Sequence, residues 1–510
     1  MLALLLSTPA AADVVSHAPD AVAVTVYRDH AATAASLRQE GDDGAGLAMI
    51  AETRAVDLPA GRTRISFEGV ADAIIPASAA LTGLPGRLVE RNFDYDLLDP
   101  GSLIEKSLGQ SVTIRRTDAR TGKVSEEPAT LRSGPDGVVA VTTSGVEALG
   151  CGAGPEALVF DHLPPGLADR PTLSVIVDAP HAGRYTLTLS YLTVRIDWSA
   201  DYVARLSADG ATLDLTGWLT LSNRSGASFA NAPTSVVAGA LARVPPDLPD
   251  IAPKEVSPEC WPMGTTSDII RREYGARDEA LAEAPAPPPM GFAKSTSVSE
   301  MVVTAEKRAV QTNLGDYKLY SLVEPTTVAA MQTKQIRFLH QTGVKFEKLY
   351  VVRADDFVGG GQSGPSPATV VLRFHNKTAD GLGLALPAGM VSIRQSQGGD
   401  ELYVGEHGVR DVPTNEEFEL EAGAASDVEA QGQVVSDVTK DDREREALQF
   451  TLTNAKPAPV TFELRQSPAR ADFKIVAESS PHVLKNGDDV WRVVIPANGA
   501  ATLSYTFEAR

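Results

Sequence analysis

Cysteine is nearly absent from this chain: there are two, Cys151 and Cys260, in 510 residues. Neither has a CxxC partner, which excludes a zinc ribbon and a thioredoxin-type redox motif. Basic residues are in deficit, 46 Lys and Arg against 66 Asp and Glu, for a net charge of −20. A surface of that sign repels phosphate, so nucleic acid and anionic membrane are excluded as general partners. Long apolar runs are also missing. No stretch reaches the roughly 18 residues that a membrane helix needs, so no transmembrane span is expected. Aromatic residues make up only 6% of the chain, which argues against a broad aromatic sugar-binding face. Motifs of common chemistry are absent too: there is no HExxH and no phosphate loop ending in GKS or GKT. Gly361-Gln362-Ser363-Gly364-Pro365 comes nearest to a nucleophile elbow and fails at its last position, where Pro replaces the required Gly.

The histidines, at 17, 30, 162, 181, 340, 375, 407 and 482, stand singly, and none pairs with another at a metal-ligand spacing. The doublets Asp355-Asp356, Asp441-Asp442 and Asp488-Asp489 lack the DxDxDG loop of a calcium site and read as solvated charges. No metal and no cofactor is expected.

What is present points first to export. An apolar run from Leu2 to Leu6 precedes Ala10-Ala11-Ala12, the small-residue pattern that signal peptidase cuts. Cleavage before Asp13 makes residues 1–12 the remnant of a signal peptide and places the protein in the periplasm or outside the cell. In that oxidising setting the two cysteines, both among Gly or Pro, can bridge. A Cys151–Cys260 disulfide closes a loop of about 110 residues and adds about 4 to 5 kcal/mol in the chain-entropy model. The other reading is two unbridged, small apolar side chains.

Most of the chain alternates with period two. Tyr185, Leu187, Leu189 and Tyr191 alternate with threonine and serine, as a half-buried strand does. Leu213, Leu215, Leu219 and Leu221 repeat the pattern after an Ala208-Asp209-Gly210 turn, which predicts a hairpin with Tyr202 to Leu206. Leu503, Tyr505 and Phe507 mark a final strand. Such short strands between turn signals predict an all-β chain of several antiparallel β-sandwich domains. At about 150 residues per domain the length allows roughly three. The expected parts are an N-terminal β domain (13–96), a small SH3-like barrel insert (97–161), the first part of a β-sandwich (162–245), a Pro-rich linker with a short helix (246–312) and the remaining sandwich (313–510). Three strands end in asparagine before a polar turn, at Asn223, Asn376 and Asn454, and read as hairpin edges. The first two also match the glycosylation sequon.

The stretches 191–241, 313–339, 384–395 and 403–423, beginning YLTVRIDWSADYV, NLGDYKLYSL, LALPAGMVSI and YVGEHGVRDV, resemble the C-terminal domain of mucoidy-inhibitor-A-like proteins. VAVTVYRDHA and VDLPAGRTRISFEGV are similar to the start of that family's N-terminal domain. The resemblance covers residues 20–90 and, linker excluded, 172–510. It implies an exported β-rich protein with a domain of unknown function, and it supplies no catalytic residues. Many relatives carry a long coiled coil between the two β domains, whereas residues 91–161 here are rich in strand signals.

Two features point to contacts. Trp198, Tyr202 and Trp218 fall close together, and Trp218 lies on the otherwise polar side of its strand with Asp214 and Thr216, placed to stack on a glycan or another protein. Met301, Val302, Val303, Thr304 and Ala305, just after the Pro-rich stretch, resemble a TonB box. Their β-branched side chains favour an extended segment that adds to the sheet edge of a partner such as TonB. The alternative is the first strand of the following sandwich. The sequence therefore predicts a cell-envelope interaction or scaffold protein rather than an enzyme. The alternative is a carbohydrate-active or other hydrolase whose site assembles only in space.

Overall fold

A computed structural model describes residues 12–28, 46–84, 86–94, 98, 100–118, 121–132, 138–148, 156–164, 167, 169–239, 241, 309–360, 364–440, 443–468 and 472–510. Strands open the chain: β1 (Ala12–Ser16), β2 (Ala21–Tyr27), β3 (Leu47–Leu58), β4 (Gly61–Glu68), β5 (Ala80–Thr82) and β6 (Arg87–Asp94). A compact module follows, with α1 (Pro100–Lys106), β7 (Ser111–Thr117), β8 (Val124–Leu131), β9 (Val139–Thr142), β10 (Gly145–Ala148) and β11 (Glu156–Val159). Its five strands form one sheet in the order β10-β9-β8-β7-β11, over a separate small core that includes Ile104, Val112, Ile114 and Leu131.

The chain then returns to the sandwich it left. β12 (Thr172–Ala179) slots between β4 and β6 in a four-stranded sheet, and β13 (Gly183–Thr193) between β3 and β5. Strands on both sides of the module thus share sheets, across the boundaries expected at 96 and 161. Two faces of one sandwich bury their apolar sides only when both segments contribute. β14 (Ile196–Leu206) and β15 (Thr212–Asn223) form the hairpin expected from the sequence, with Leu206 opposite Leu213 and Gly210 at φ 68° in the turn. β16 (Phe229–Ala232) and β17 (Thr234–Ala238) follow.

The next strands are β18 (Ala309–Leu314), β19 (Tyr317–Leu322), β20 (Thr326–Val328), β21 (Gln332–Lys345), β22 (Glu347–Arg353), β23 (Ser366–His375), β24 (Gly389–Gln397) and β25 (Asp400–Val409). β18 begins inside the span expected to be linker and is the edge of a seven-stranded sheet, β18-β19-β17-β2-β3-β13-β5. A five-stranded sheet, β21-β15-β14-β24-β25, packs below it. The chain closes with β26 (Glu417–Lys440), β27 (Arg443–Asn454), β28 (Val460–Gln466), β29 (Lys474–Glu478), β30 (Val483–Lys485), β31 (Asp488–Ile495) and β32 (Gly499–Ala509). With β22 and β23 these make a nine-stranded sheet, β29-β32-β27-β26-β23-β22-β28-β31-β30. Pairing is mostly antiparallel. β1–β4, β2–β17, β14–β24 and β22–β28 run parallel, since a strand arriving from a distant segment need not reverse direction as a hairpin does.

One core joins the N-terminal sandwich to the five-stranded sheet and the start of β26, through Ile50, Leu189, Trp198, Tyr202, Leu219, Phe374 and Phe418. A second lies inside the nine-stranded sheet, around Phe357, Phe450, Phe462, Trp491 and Tyr505. Trp491 of β31 stacks on Tyr505 of β32 at 4.4 Å, so this sheet curls until its two halves face each other.

The three asparagines share one local design. Asn223 Nδ2 donates to the Ala227 and Val328 carbonyls, at 2.9 and 3.4 Å. Asn376 Nδ2 donates to Leu384 and Pro413 at 2.6 and 2.9 Å, and Asn454 Nδ2 to Ala458 and Pro496 at 2.9 and 2.8 Å. Each Oδ1 accepts a backbone N–H, from Ser225, Gly383 and Lys456 respectively. Each amide therefore pins the turn that follows it to a distant chain segment. All three are buried, which explains the hairpin echo and removes both sequon amides from solvent.

Candidate functional site

The three aromatic residues singled out in the sequence separate onto two faces. In β14 Ile196, Trp198, Ala200, Tyr202 and Ala204 all point inward. Trp198 is fully buried, donates Nε1–H to the Val237 carbonyl at 3.2 Å and lies 5.8 Å below the Arg28 guanidinium. Tyr202 donates to the Pro387 carbonyl at 2.7 Å, and burial first, then the Tyr320 and Asp411 side chains, pushes its hydroxyl far above the usual phenol range. Both are core residues, and of the three only Trp218 is at the surface. The reason is strand parity: 198 and 202 share the inward face, whereas 218 pairs with the outward Asp201.

Trp218 is partly exposed on the outer face of the five-stranded sheet. Across from it stand Asp201 on β14 and Arg337 on β21. Its indole N–H and the Arg337 guanidinium have no hydrogen-bond or ion-pair partner among the described residues. Thr220 donates to Asp201, and Gln335 Nε2 donates to Thr220 Oγ1 at 3.1 Å. Thr216 Oγ1 lies 3.1 Å from His340 Nδ1. Ser199, cross-strand from Thr220, is buried and its hydroxyl has no partner among the described residues. Gly217, beside Trp218, is required by the opposite face. A Cβ there would lie 2.7 Å from the Phe338 ring, which packs edge-on against Tyr202. The apolar inward face thus fixes the backbone that presents the indole.

A second polar group, missed in the sequence, forms where β29, β30 and β31 meet the end of β28. Asp355 accepts from Gln466 and from the Ser467 backbone at 3.1 Å, and Arg353 donates to Asp355 at 2.9 Å. Ser467 donates to Asp488 at 2.6 Å. His482 sits between Glu478 and Asp489. Asp355, Asp488 and Asp489, read from the sequence as solvated charges, are therefore engaged side chains that strand pairing brings together. Only the period-two pattern hinted at these strands, and nothing in the sequence signalled that the residues converge.

The most deeply buried charges are structural. Arg54 is fully enclosed and bonds Glu52, the Ser16 carbonyl and the Glu68 carbonyl, while Tyr191 donates to Glu52 at 2.6 Å. An apolar void of about 10 Å³ lies among Leu213, Leu215, Phe374, Val391 and Phe418. Among the described residues, no group of three or more His, Cys, Asp and Glu could hold a metal ion. No helix among them is long and apolar enough to cross a membrane. Met301, Val302, Val303, Thr304 and Ala305, together with Cys151 and Cys260, lie outside the described residues. No protein-family model matches this chain, and no curated protein matches it.

Proposed function

We propose that the protein is an exported, non-enzymatic binding protein of the cell envelope, and that the sheet face around Trp218 contacts an envelope polysaccharide. The observation that carries this reading is the partly exposed indole flanked by a guanidinium without a partner among the described residues, on a face that also carries Asp201, Thr220 and Gln335. An aromatic ring offers a flat apolar platform to a sugar ring, and Arg337, Gln335 and Asp201 offer donors and acceptors to its hydroxyls. Spacing favours binding over hydrolysis here. Along β14 and β15 the acidic residues of this face, Asp197, Asp201 and Asp214, are spaced four residues apart. That is about 13 Å of backbone, beyond the roughly 5 to 9.5 Å of a glycosidase carboxylate pair. The resemblance to mucoidy-inhibitor-A-like proteins and the apolar N-terminus support the location. The segment 301–305 adds a second contact, to TonB or a similar energiser, and is supported by its sequence and by its place directly before the edge strand β18.

The test is migration of the full chain through native gels containing extracted envelope polysaccharide. Wild type is retarded, and Trp218→Ala and Arg337→Ala lose most of the retardation while remaining folded. Absence of retardation, or equal retardation of the variants, refutes the assignment.

A further inference from the structure

We propose that Glu478, His482 and Asp489 form a proton-dependent clasp that closes the seam of the nine-stranded sheet. β29 and β30 are the two edges of that sheet, yet they are consecutive in the chain, joined through Ser479 to His482. At this join Glu478 Oε2 accepts three donors: Trp491 Nε1 at 2.9 Å, the His482 backbone N–H at 3.2 Å and His482 Nδ1 at 2.7 Å. The other ring nitrogen, Nε2, lies 3.2 Å from Asp489 Oδ1 on β31. One imidazole thus ties the end of β29 to β31, and the ring packs 5.6 Å from Trp491.

Counting protons makes this arrangement conditional. Ionised carboxylates only accept, and a neutral imidazole carries a single N–H. Both ring nitrogens face carboxylate oxygens, so the clasp needs one proton beyond a neutral ring and two carboxylates. Burial, reinforced by Glu478 and Asp488 and opposed by His482, pushes the Asp489 carboxyl up from its usual range. Burial also pushes Glu478 up, but the hydrogen bonds from His482 and Trp491 outweigh it and hold that carboxyl low. The extra proton lies in one of the two contacts of the ring, Nδ1 to Glu478 or Nε2 to Asp489. The other charged groups nearby are committed: Asp488 to Ser467 and, at 3.6 Å, to Arg353, and Lys485 of β30 to Glu417.

The closed seam binds this proton and an opened seam does not hold it in place, so closure is favoured at low pH and weakens as pH rises. Loss of the proton leaves two acceptors facing each other. β30 is then held by its three-residue pairing with β31 and by the Lys485 ion pair to Glu417, with Val483 and Leu484 exposed. The join is then carried by Glu478 alone, through Trp491 Nε1 and His482, and opens more readily, which exposes edge backbone groups that can pair with another strand.

The experiment is hydrogen exchange of peptides spanning 479–495 in the full chain, corrected for intrinsic rate, with ¹⁵N shifts of the His482 ring, from about pH 5 to about pH 8. Protection at Val483 and Val490 should fall by up to tenfold per pH unit once the proton is lost, while Phe450 in the core is unchanged. Asp489→Asn is the decisive variant. Its amide donates to Nε2 of a neutral ring, so the seam should stay closed and the pH profile should flatten. A flat profile in the wild type, or an Asp489→Asn profile as steep as the wild type's, overturns the proposal.

Discussion

Arg373 reaches across β22 to Glu463, donating two parallel hydrogen bonds of 2.8 and 2.7 Å to a carboxylate 90 residues away. Glu419 and Arg465 complete the group, Arg465 donating to Glu419 at 2.8 Å and to Glu463 at 2.8 Å. Arg373 and Glu463 are buried. The geometry is the planar fork that guanidinium and carboxylate share, and it staples β23, β26 and β28 together. Removing one partner strands the other charge out of water. Arg373→Met alone should cost about 3 to 5 kcal/mol, and Arg373→Met with Glu463→Leu much less. Urea denaturation of the three proteins measures this.

The same group sets an acid limit. Burial pushes Glu463 and Glu419 up, but hydrogen bonds from Arg373 and Arg465 outweigh it and hold both carboxyls below the usual range. Folded values below the unfolded ones mean stability that is complete above about pH 4.3 and is lost as pH falls through the folded values. An acid titration followed by circular dichroism should show this loss, and it should flatten in the double variant.

The two tryptophans of the β14–β15 hairpin should behave oppositely. Trp198→Ala opens a core cavity and should cost about 3 to 5 kcal/mol. Trp218→Ala, on the outer face, should change stability by less than about 1 kcal/mol and show its effect in binding. Thermal melts of both variants distinguish the faces. Gly217→Ala should destabilise by about 1 to 3 kcal/mol, because its new methyl meets the Phe338 ring.

Asn376→Ala removes a donor from three carbonyls, those of Leu384, Val412 and Pro413, and should cost about 1 to 3 kcal/mol. Asn223 and Asn376 should also remain unmodified when the folded protein meets a glycosylation machinery, since their amides are buried and engaged. Intact mass spectrometry after expression in a glycosylating host reads this directly.

Individual strands were legible because a half-buried strand writes its faces into alternate residues. Tyr185 to Tyr191, Leu213 to Leu221 and Leu503 to Phe507 lie in β13, β15 and β32, with their apolar positions inward. Pairing was not legible, because β12 and β13 meet β4 and β3 across an entire inserted module, and no local pattern encodes a partner over a hundred residues away. The sequence placed Trp218 on the polar side of its strand yet grouped it with Trp198 and Tyr202 as a contact, and the parity of β14 separates them. His482 looked solitary because its partners lie four residues before it, on the far edge of the sheet, and seven after, on β31. The asparagine echo was visible as a hairpin signal, but its reach to Val328, Pro413 and Pro496 depends on tertiary packing.

The most direct test of the contact face is photo-crosslinking in cells from position 203, on the same face of β14 and opposite Thr216, with mass spectrometry of the captured species. The account predicts a covalent adduct with an envelope saccharide, and its loss in a Trp218→Ala, Arg337→Ala background of equal abundance. An abundant, folded protein that captures nothing from position 203, or an adduct indifferent to both substitutions, would contradict it.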